Sequence, residues 1–162
     1  MKKRRFFALF LVLGLLVSLL SVPASAFEEI DVDARAALLV EKETGEILYE
    51  KNAHEKNYPA SITKLTVALL VFEAIDAGQL SLDQPITAHE SAFEGLSIYG
   101  STAGIKVGEV LTVEQLLQCM LIVSANEACN ILAEAVCGEG NISQFVQRMN
   151  ERAAALGCEN TH

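Results

Sequence analysis

A serine and a lysine three residues apart, Ser61 and Lys64, have the residue types and spacing of a nucleophile and its base. Residues three apart share one face of a helix, so Lys64 points back at the Ser61 hydroxyl if Ser61 opens a helix. A lysine acts as a base only while it is neutral, and burial favours the neutral form. The run 65–72 is apolar on nearly every side, which predicts a buried helix. An N-capping serine beside a surface lysine is the alternative interpretation of the pair.

A second polar group lies about sixty residues further along the chain. Ser124 and Asn126 form a Ser-x-Asn triplet between two helical patterns, where a hydroxyl and a carboxamide can project into a cleft. Ser-x-x-Lys, a Ser-Asp-Asn triplet and Lys-Thr-Gly together are the signature of penicillin-binding proteins and class A β-lactamases. The sequence contains the first motif and a variant of the second, but no Lys-Thr-Gly.

On these motifs the chain resembles the N-terminal part of the serine D-alanyl-D-alanine carboxypeptidases, low-molecular-mass penicillin-binding proteins of peptidase family S11. The similarity extends from about Ala36 to His162. The segments that carry it are Pro-Ala-Ser-Ile-Thr-Lys-Leu at 59–65, Ser-Ala-Asn-Glu-Ala-Cys at 124–129, Phe-Val-Gln-Arg-Met-Asn at 145–150 and Leu-Gly-Cys-Glu-Asn-Thr-His at 156–162. The resemblance implies an α+β fold of the β-lactamase/transpeptidase type, with a helical lobe packed on an antiparallel sheet. Because the family's Lys-Thr-Gly strand would lie beyond His162, we expect a truncated chain with an incomplete sheet.

The resemblance also implies a role for each of the four polar residues. Ser61 is the acyl-ester nucleophile that attacks the D-alanyl-D-alanine peptide bond, and Lys64 is the general base. Ser124 relays a proton to the leaving amine, and Asn126 holds the substrate amide and orients Lys64. The implied reaction removes the terminal D-alanine from peptidoglycan stem peptides. Expected partners are those peptides and the β-lactams that mimic them, and no metal or organic cofactor is implied.

Two alternative functions stay open. A serine β-lactamase shares the first two motifs, but it would need a deacylating residue on a later loop. The Pro-Ala-Ser-Ile-Thr-Lys segment and the ending at 156–162 look more like the carboxypeptidase. The second alternative belongs to another class: a catalytically inactive, truncated remnant that binds stem peptides and turns nothing over.

Residues 1–26 have the three parts of a secretory signal peptide. Basic residues at 2–5 precede the largely apolar run 6–20, and Ala-Ser-Ala at 24–26 offers a small-residue cleavage site. An uncleaved anchor is the alternative, but this run is shorter than the roughly 20 residues that span a bilayer. We therefore expect residues 27–162 to act outside the cytoplasmic membrane or in the cell wall. Membrane association is expected only through the signal peptide or through a C-terminal helix absent from this chain.

Charge and cysteine content narrow the class of protein. The net charge is −9, and removing residues 1–26, with four basic and no acidic residues, makes it −13. So acidic a chain argues against nucleic acid as a partner. The cysteines could form disulfides in an exported protein, but they lack zinc-ligand spacing and mostly fall on apolar helical stretches. We therefore expect free buried thiols at Cys119, Cys129, Cys137 and Cys158.

Local patterns predict the elements that precede the second motif. Residues 36–41 and 46–50 flank a glycine-containing turn and predict a β-hairpin. The helix that begins near Ser61 is predicted to run to about Ala77, before a capping glycine. Residues 81–106 carry turn signals and are predicted to be irregular.

Three further helices are predicted. Thr112 and Gln115 form a capping box, and the helix that they begin delivers Ser124. A second helix is predicted over 127–136, and Asn141 caps a third. The polar residues of the second motif therefore lie where one helix ends and the next begins.

Overall fold

The structure is a computed structural model that describes residues 31–162, so the expected signal peptide at 1–26 lies outside the described residues. The chain divides into two compact units between Glu55 and Lys56. Within residues 31–162 the first unit holds a β-hairpin, and the second holds four α-helices and a short strand pair. Helices combined with antiparallel strands agree with the expected α+β class.

The hairpin of the first unit consists of β1, Ala37–Val40, and β2, Ile47–Lys51, as predicted. The Glu41 carboxylate holds the turn by accepting hydrogen bonds from the Thr44 hydroxyl and from the backbone N–H groups of Glu43 and Thr44. These bonds keep the pKa of Glu41 below its ordinary value. No residue is buried in the described part of this unit.

The second unit contains the predicted helix after Pro59, with a different first turn. A 3₁₀ turn at Ala60–Thr63 leads into α1, Lys64–Asp76. Gly78 follows in the left-handed conformation with φ of +71°. Because a side chain is strained there, the prediction of a glycine at the end of this helix is confirmed.

The prediction that this first helix is buried on nearly every side is wrong. Leu65 is 63% exposed and Phe72 is 45% exposed. An α-helix buries only the stripe that its neighbours cover, and the covered stripe of α1 is narrow. Its buried residues are Val67, Ala68, Val71 and Ala74.

Residues 81–106 are more regular than predicted. β3, Pro85–Thr87, pairs antiparallel with β4, Val110–Thr112, and a 3₁₀ turn forms at Glu90–Phe93. Each strand has only three residues, so no alternation of apolar and polar residues could mark it in the sequence.

The remaining helices are α2, Val113–Ile122, α3, Asn126–Cys137, and α4, Ile142–Ala155, close to the predicted bounds. The capping box that begins α2 is confirmed, because the Thr112 hydroxyl accepts from the N–H of Gln115 and the Gln115 side chain accepts in return. The N-terminus of this helix is therefore fixed by side-chain hydrogen bonds.

Asn141 occupies the predicted cap position of α4, but its side chain does not cap that helix. Its amide instead donates to the backbone carbonyls of Cys137 and Glu139. These bonds hold the connection between α3 and α4.

The core of the second unit lies around α3, which contacts α1, α2 and α4. The largest side chains that are almost completely buried come from all four helices: Val71, Val113, Leu116, Met120, Ile131, Leu132 and Phe145. Within residues 31–162, no helix has the length and apolar character needed to cross a membrane.

All four cysteines are free, as expected. Their expected burial is only partly correct. Cys119, Cys129 and Cys137 are half-buried against the core, and Cys158 is exposed beyond the end of α4.

Candidate active site

Ser61 and Ser124 are brought into direct contact. Ser61 lies in the exposed 3₁₀ turn before α1, and Ser124 lies in the connection between α2 and α3. The Ser124 Oγ donates to the Ser61 Oγ at 2.9 Å. Ser124 has φ of +62°, a left-handed conformation that costs a non-glycine residue roughly 1–2 kcal/mol. The chain therefore holds Ser124 in an unfavourable backbone conformation in which its hydroxyl meets that of Ser61.

Lys64 and Asn126 form the second pair. They are the first residues of α1 and α3, and the Lys64 Nζ donates to the Asn126 Oδ1 at 2.8 Å. The backbone N–H of Lys64 also donates to the carbonyl of Ser61. In a 3₁₀ turn, side chains three residues apart are eclipsed, so the turn puts Lys64 and Ser61 on one side. All four residues singled out in the sequence thus meet in two hydrogen-bonded pairs.

A loop at 100–104 packs against the Asn126 side chain. The N–H of Asn126 donates to the carbonyl of Ser101 at 2.9 Å. A Cβ atom added to Gly100 would lie 2.6 Å from the Asn126 Nδ2 and 3.0 Å from the Ser97 carbonyl oxygen. A side chain at position 100 would therefore clash with the Asn126 carboxamide in its present position.

Glu127, the residue after Asn126, fixes this loop. Its Oε1 accepts from the Thr102 hydroxyl at 2.6 Å, the Ala103 N–H at 2.8 Å and the Gly104 N–H at 3.1 Å. The residue is 3% exposed. Burial acts to raise the pKa of Glu127, but the hydrogen bonds from Thr102 and from backbone N–H groups outweigh it and hold the pKa below its ordinary value. Sequence analysis missed this contact because the loop carries only turn signals.

Cys129 lies one turn along α3 from Asn126. Its thiol donates to the carbonyl of Ala125 at 3.4 Å. Burial raises the pKa of Cys129 to about 11, against the opposing effect of the nearby Lys64 charge. Because only the thiolate is strongly nucleophilic, the raised pKa leaves Cys129 a weak nucleophile at neutral pH.

Two cavities differ in their relation to these residues. The larger, about 410 Å³, lies between α1, α3 and α4 and includes none of the four paired residues. A smaller one of about 250 Å³ is lined by Gly100, Ser101 and Glu127, next to Asn126. The four paired residues and the larger cavity therefore lie in different parts of the second unit.

Comparison with known proteins identifies the family. Residues 23–162 match the model of the peptidase S11 family, D-alanyl-D-alanine carboxypeptidase. The chain belongs to the D-alanyl-D-alanine carboxypeptidase family. This confirms the resemblance seen in the sequence.

Members of the carboxypeptidase family match the chain in sequence and in structure. D-alanyl-D-alanine carboxypeptidase DacF of Bacillus subtilis is 35% identical over 153 residues, which cover 90% of this chain and 38% of DacF. The crystal structure of the carboxypeptidase DacD from Francisella tularensis superposes with a TM-score of 0.73 at 36% identity, covering 83% of this chain and 32% of that one. The carboxypeptidase match therefore spans less than half the length of these relatives.

The ampicillin-bound crystal structure of penicillin-binding protein D2 from Listeria monocytogenes also matches. Its TM-score is 0.65 at 31% identity, and the match covers 80% of this chain and 49% of that one. The expected fold of the penicillin-binding and transpeptidase type is thus confirmed for the carboxypeptidase-family chain.

Proposed function

We propose that this protein is a serine-type D-Ala-D-Ala carboxypeptidase that removes the terminal D-alanine from peptidoglycan stem peptides through an acyl-enzyme. The observation that carries the proposal is the meeting of Ser61 with Ser124 at 2.9 Å and of Lys64 with Asn126 at 2.8 Å. In this proposal residues 27–162 are the N-terminal part of the catalytic domain and end before its Lys-Thr-Gly motif. Residues 1–26 direct export, so the reaction takes place outside the cytoplasmic membrane.

In the first step Ser61 attacks the carbonyl carbon of the scissile D-Ala-D-Ala bond. Lys64 accepts the hydroxyl proton as the Ser61 Oγ–carbon bond forms, and a positioned base of this kind typically contributes about 10² to 10⁴-fold in rate. The Ser61 N–H is one donor to the developing oxyanion. The second donor is expected on the Lys-Thr-Gly strand, and losing one such donor costs on the order of 10² to 10³ in rate.

The leaving group needs a proton when the carbon–nitrogen bond breaks. Ser124 donates its own hydroxyl proton to the D-alanine amine, since that hydroxyl already contacts the oxygen that forms the new bond. The proton that Lys64 took from Ser61 then replaces the proton lost by Ser124. Water then hydrolyses the ester on Ser61 and regenerates the hydroxyl.

Asn126 has two tasks in this scheme. Its Oδ1 accepts from the Lys64 Nζ and so orients the Lys64 side chain. Its Nδ2 can donate to the substrate amide carbonyl. One carboxamide thus aligns both the base and the substrate.

β-Lactams are proposed to acylate Ser61 by the same step, because the lactam carbonyl takes the place of the scissile carbonyl. The ampicillin-bound state of the Listeria relative supports this proposal. Family membership supports a carboxypeptidase over a serine β-lactamase. An inactive binding remnant is the remaining alternative, because the match covers 38% of DacF.

Release of D-alanine from a peptide ending in D-Ala-D-Ala tests the proposal. The chain is expected to release D-alanine, the Ser61→Ala variant is expected to release none, and Ser143→Ala, which alters an exposed serine on α4, should match the wild type. Peptide binding without release by the wild-type chain would reject the carboxypeptidase and favour the binding remnant.

A further inference from the structure

Two glutamates are buried among residues 31–162, and both lie on α3. Glu127 is 3% exposed and Glu134 is 5% exposed. Carboxylates are almost never so buried unless other groups compensate their charge. The Glu134 Oε1 accepts from the Gly140 N–H at 2.9 Å, at the end of α3 away from the site. Glu127, by contrast, directly follows a residue of the candidate site.

Glu127 is connected to Lys64 by a continuous series of contacts. Its carboxylate accepts three hydrogen bonds from residues 102–104. The same loop contacts Asn126 through the Ser101 carbonyl and through the close approach of Gly100. Asn126 in turn accepts from the Lys64 Nζ.

We infer that Glu127 is a positioning residue of the site, which holds the 100–104 loop against Asn126 and so fixes the carboxamide that receives Lys64. Its catalytic consequence rests on the proposed function, but the positioning itself does not. Glu127 does not reach Lys64 through any hydrogen bond of its own among the described contacts. It acts through the loop.

The geometry explains how the 100–104 loop controls the hydrogen bond between Lys64 and Asn126. Gly100 lies close against the Asn126 carboxamide, since a Cβ atom at that position would be 2.6 Å from the Nδ2. If the loop moves away, Asn126 loses both this contact and the Ser101 carbonyl that accepts its N–H. The Oδ1 can then leave the Lys64 Nζ, and displacements of about 1 Å cost roughly 10²-fold in rate at catalytic sites.

The hydrogen bonds between the Glu127 carboxylate and residues 102–104 depend on pH, because the carboxylate is charged only above its pKa. A carboxylate accepts hydrogen bonds more strongly than a neutral group. Because the pKa of Glu127 is held below its ordinary value, the stabilisation is present at neutral pH and is lost as pH falls through that lowered pKa. The other titratable groups that sense its charge are Cys119 of α2 and Cys129 of α3, whose pKa values burial raises, so neither changes charge in that acid range.

Nuclear magnetic resonance of the ¹⁵N-labelled chain tests the inference without requiring activity. Glu127→Gln is expected to speed hydrogen exchange at the Ala103 and Gly104 amides about tenfold, because a neutral acceptor binds them more weakly. It is also expected to shift the Asn126 side-chain signal. The matched control is Glu134→Gln, the other buried glutamate of α3, which should leave all three signals unchanged.

An acid titration of the wild-type chain provides the second readout. The backbone amide signals of Ala103 and Gly104 and the side-chain amide signal of Asn126 are expected to move together, with a midpoint below the ordinary pKa of glutamate. Faster exchange at Ala103 and Gly104 with an unmoved Asn126 side chain would overturn the inference, because Glu127 would then only tie down the loop. If Glu127→Gln fails to fold, the titration decides by the same criterion.

Penicillin labelling separates this inference from the proposed function. If no penicillin labels the wild-type chain, the proposed function is rejected. The resonance experiment still decides whether Glu127 positions Asn126. If the wild type is labelled, Glu127→Gln is expected to be labelled more slowly and Glu134→Gln at the wild-type rate.

Discussion

The two compact units of the chain differ in what holds them together. The helical unit buries large apolar side chains from four helices and contains every residue of the candidate site. The described part of the hairpin unit buries none, and Leu38, Leu39 and Leu48 are each more than half exposed. Two strands alone are marginally stable, so the hairpin depends on its turn and its ladder. The contrast indicates that the helical core supports the candidate site. Changes to the hairpin are therefore expected to have little effect on the core or on the site.

Phe145→Ala is expected to have the largest effect on stability. Phe145 is 1% exposed in the core of the helical unit, and truncating a buried phenylalanine typically costs about 3–5 kcal/mol of unfolding free energy. Denaturant unfolding measures it. Val146→Ala is the matched control on the same helix, since Val146 is 46% exposed and should cost far less. Similar losses for the two variants would mean that the helical core is not the stabilising region.

Gly100→Ala is expected to damage the site more than the fold. The new Cβ would lie 2.6 Å from the Asn126 Nδ2, so the carboxamide must shift from the position in which it accepts from Lys64. Acylation by a fluorescent penicillin should fall about 10²-fold. The unfolding midpoint, measured alongside, checks that the helical unit stays folded. An unchanged acylation rate would show that the Asn126 position is not critical.

Thr112→Ala removes one half of the capping box that begins α2. Loss of an N-cap hydroxyl typically costs about 0.5–2 kcal/mol, because the Gln115 N–H loses its acceptor. Thermal unfolding measures the loss, and Thr112→Ser, which keeps the hydroxyl, should recover most of it. Equal stability of the alanine and serine variants would contradict the role of the cap.

Leu48→Ala should have the smallest effect. Leu48 is 57% exposed on a strand of the hairpin, so its truncation is expected to change the unfolding free energy by less than about 0.5 kcal/mol. Denaturant unfolding and penicillin labelling should both resemble the wild type. A loss comparable to that of Phe145→Ala would overturn the contrast between the two units.

Sequence analysis predicted what local patterns encode. The hairpin turn, the capping box at Thr112 and the paired motifs around Ser61 and Ser124 all depend on neighbours within a few residues. Contacts between distant segments were not predictable: the β3–β4 pairing, the exposed side of α1 and the burial of Glu127. Glu127 is the clearest case, since its partners lie more than twenty residues earlier in a loop marked only by glycines.

The most direct test of the account is to locate the acyl group after the chain reacts with penicillin. The wild-type chain is incubated with a fluorescent penicillin, digested and analysed by mass spectrometry. The account predicts one acylated peptide with the adduct on Ser61, and no adduct in Ser61→Ala. An adduct on Ser124 or Cys129, or labelling that persists in Ser61→Ala, would contradict the assignment of Ser61 as the nucleophile.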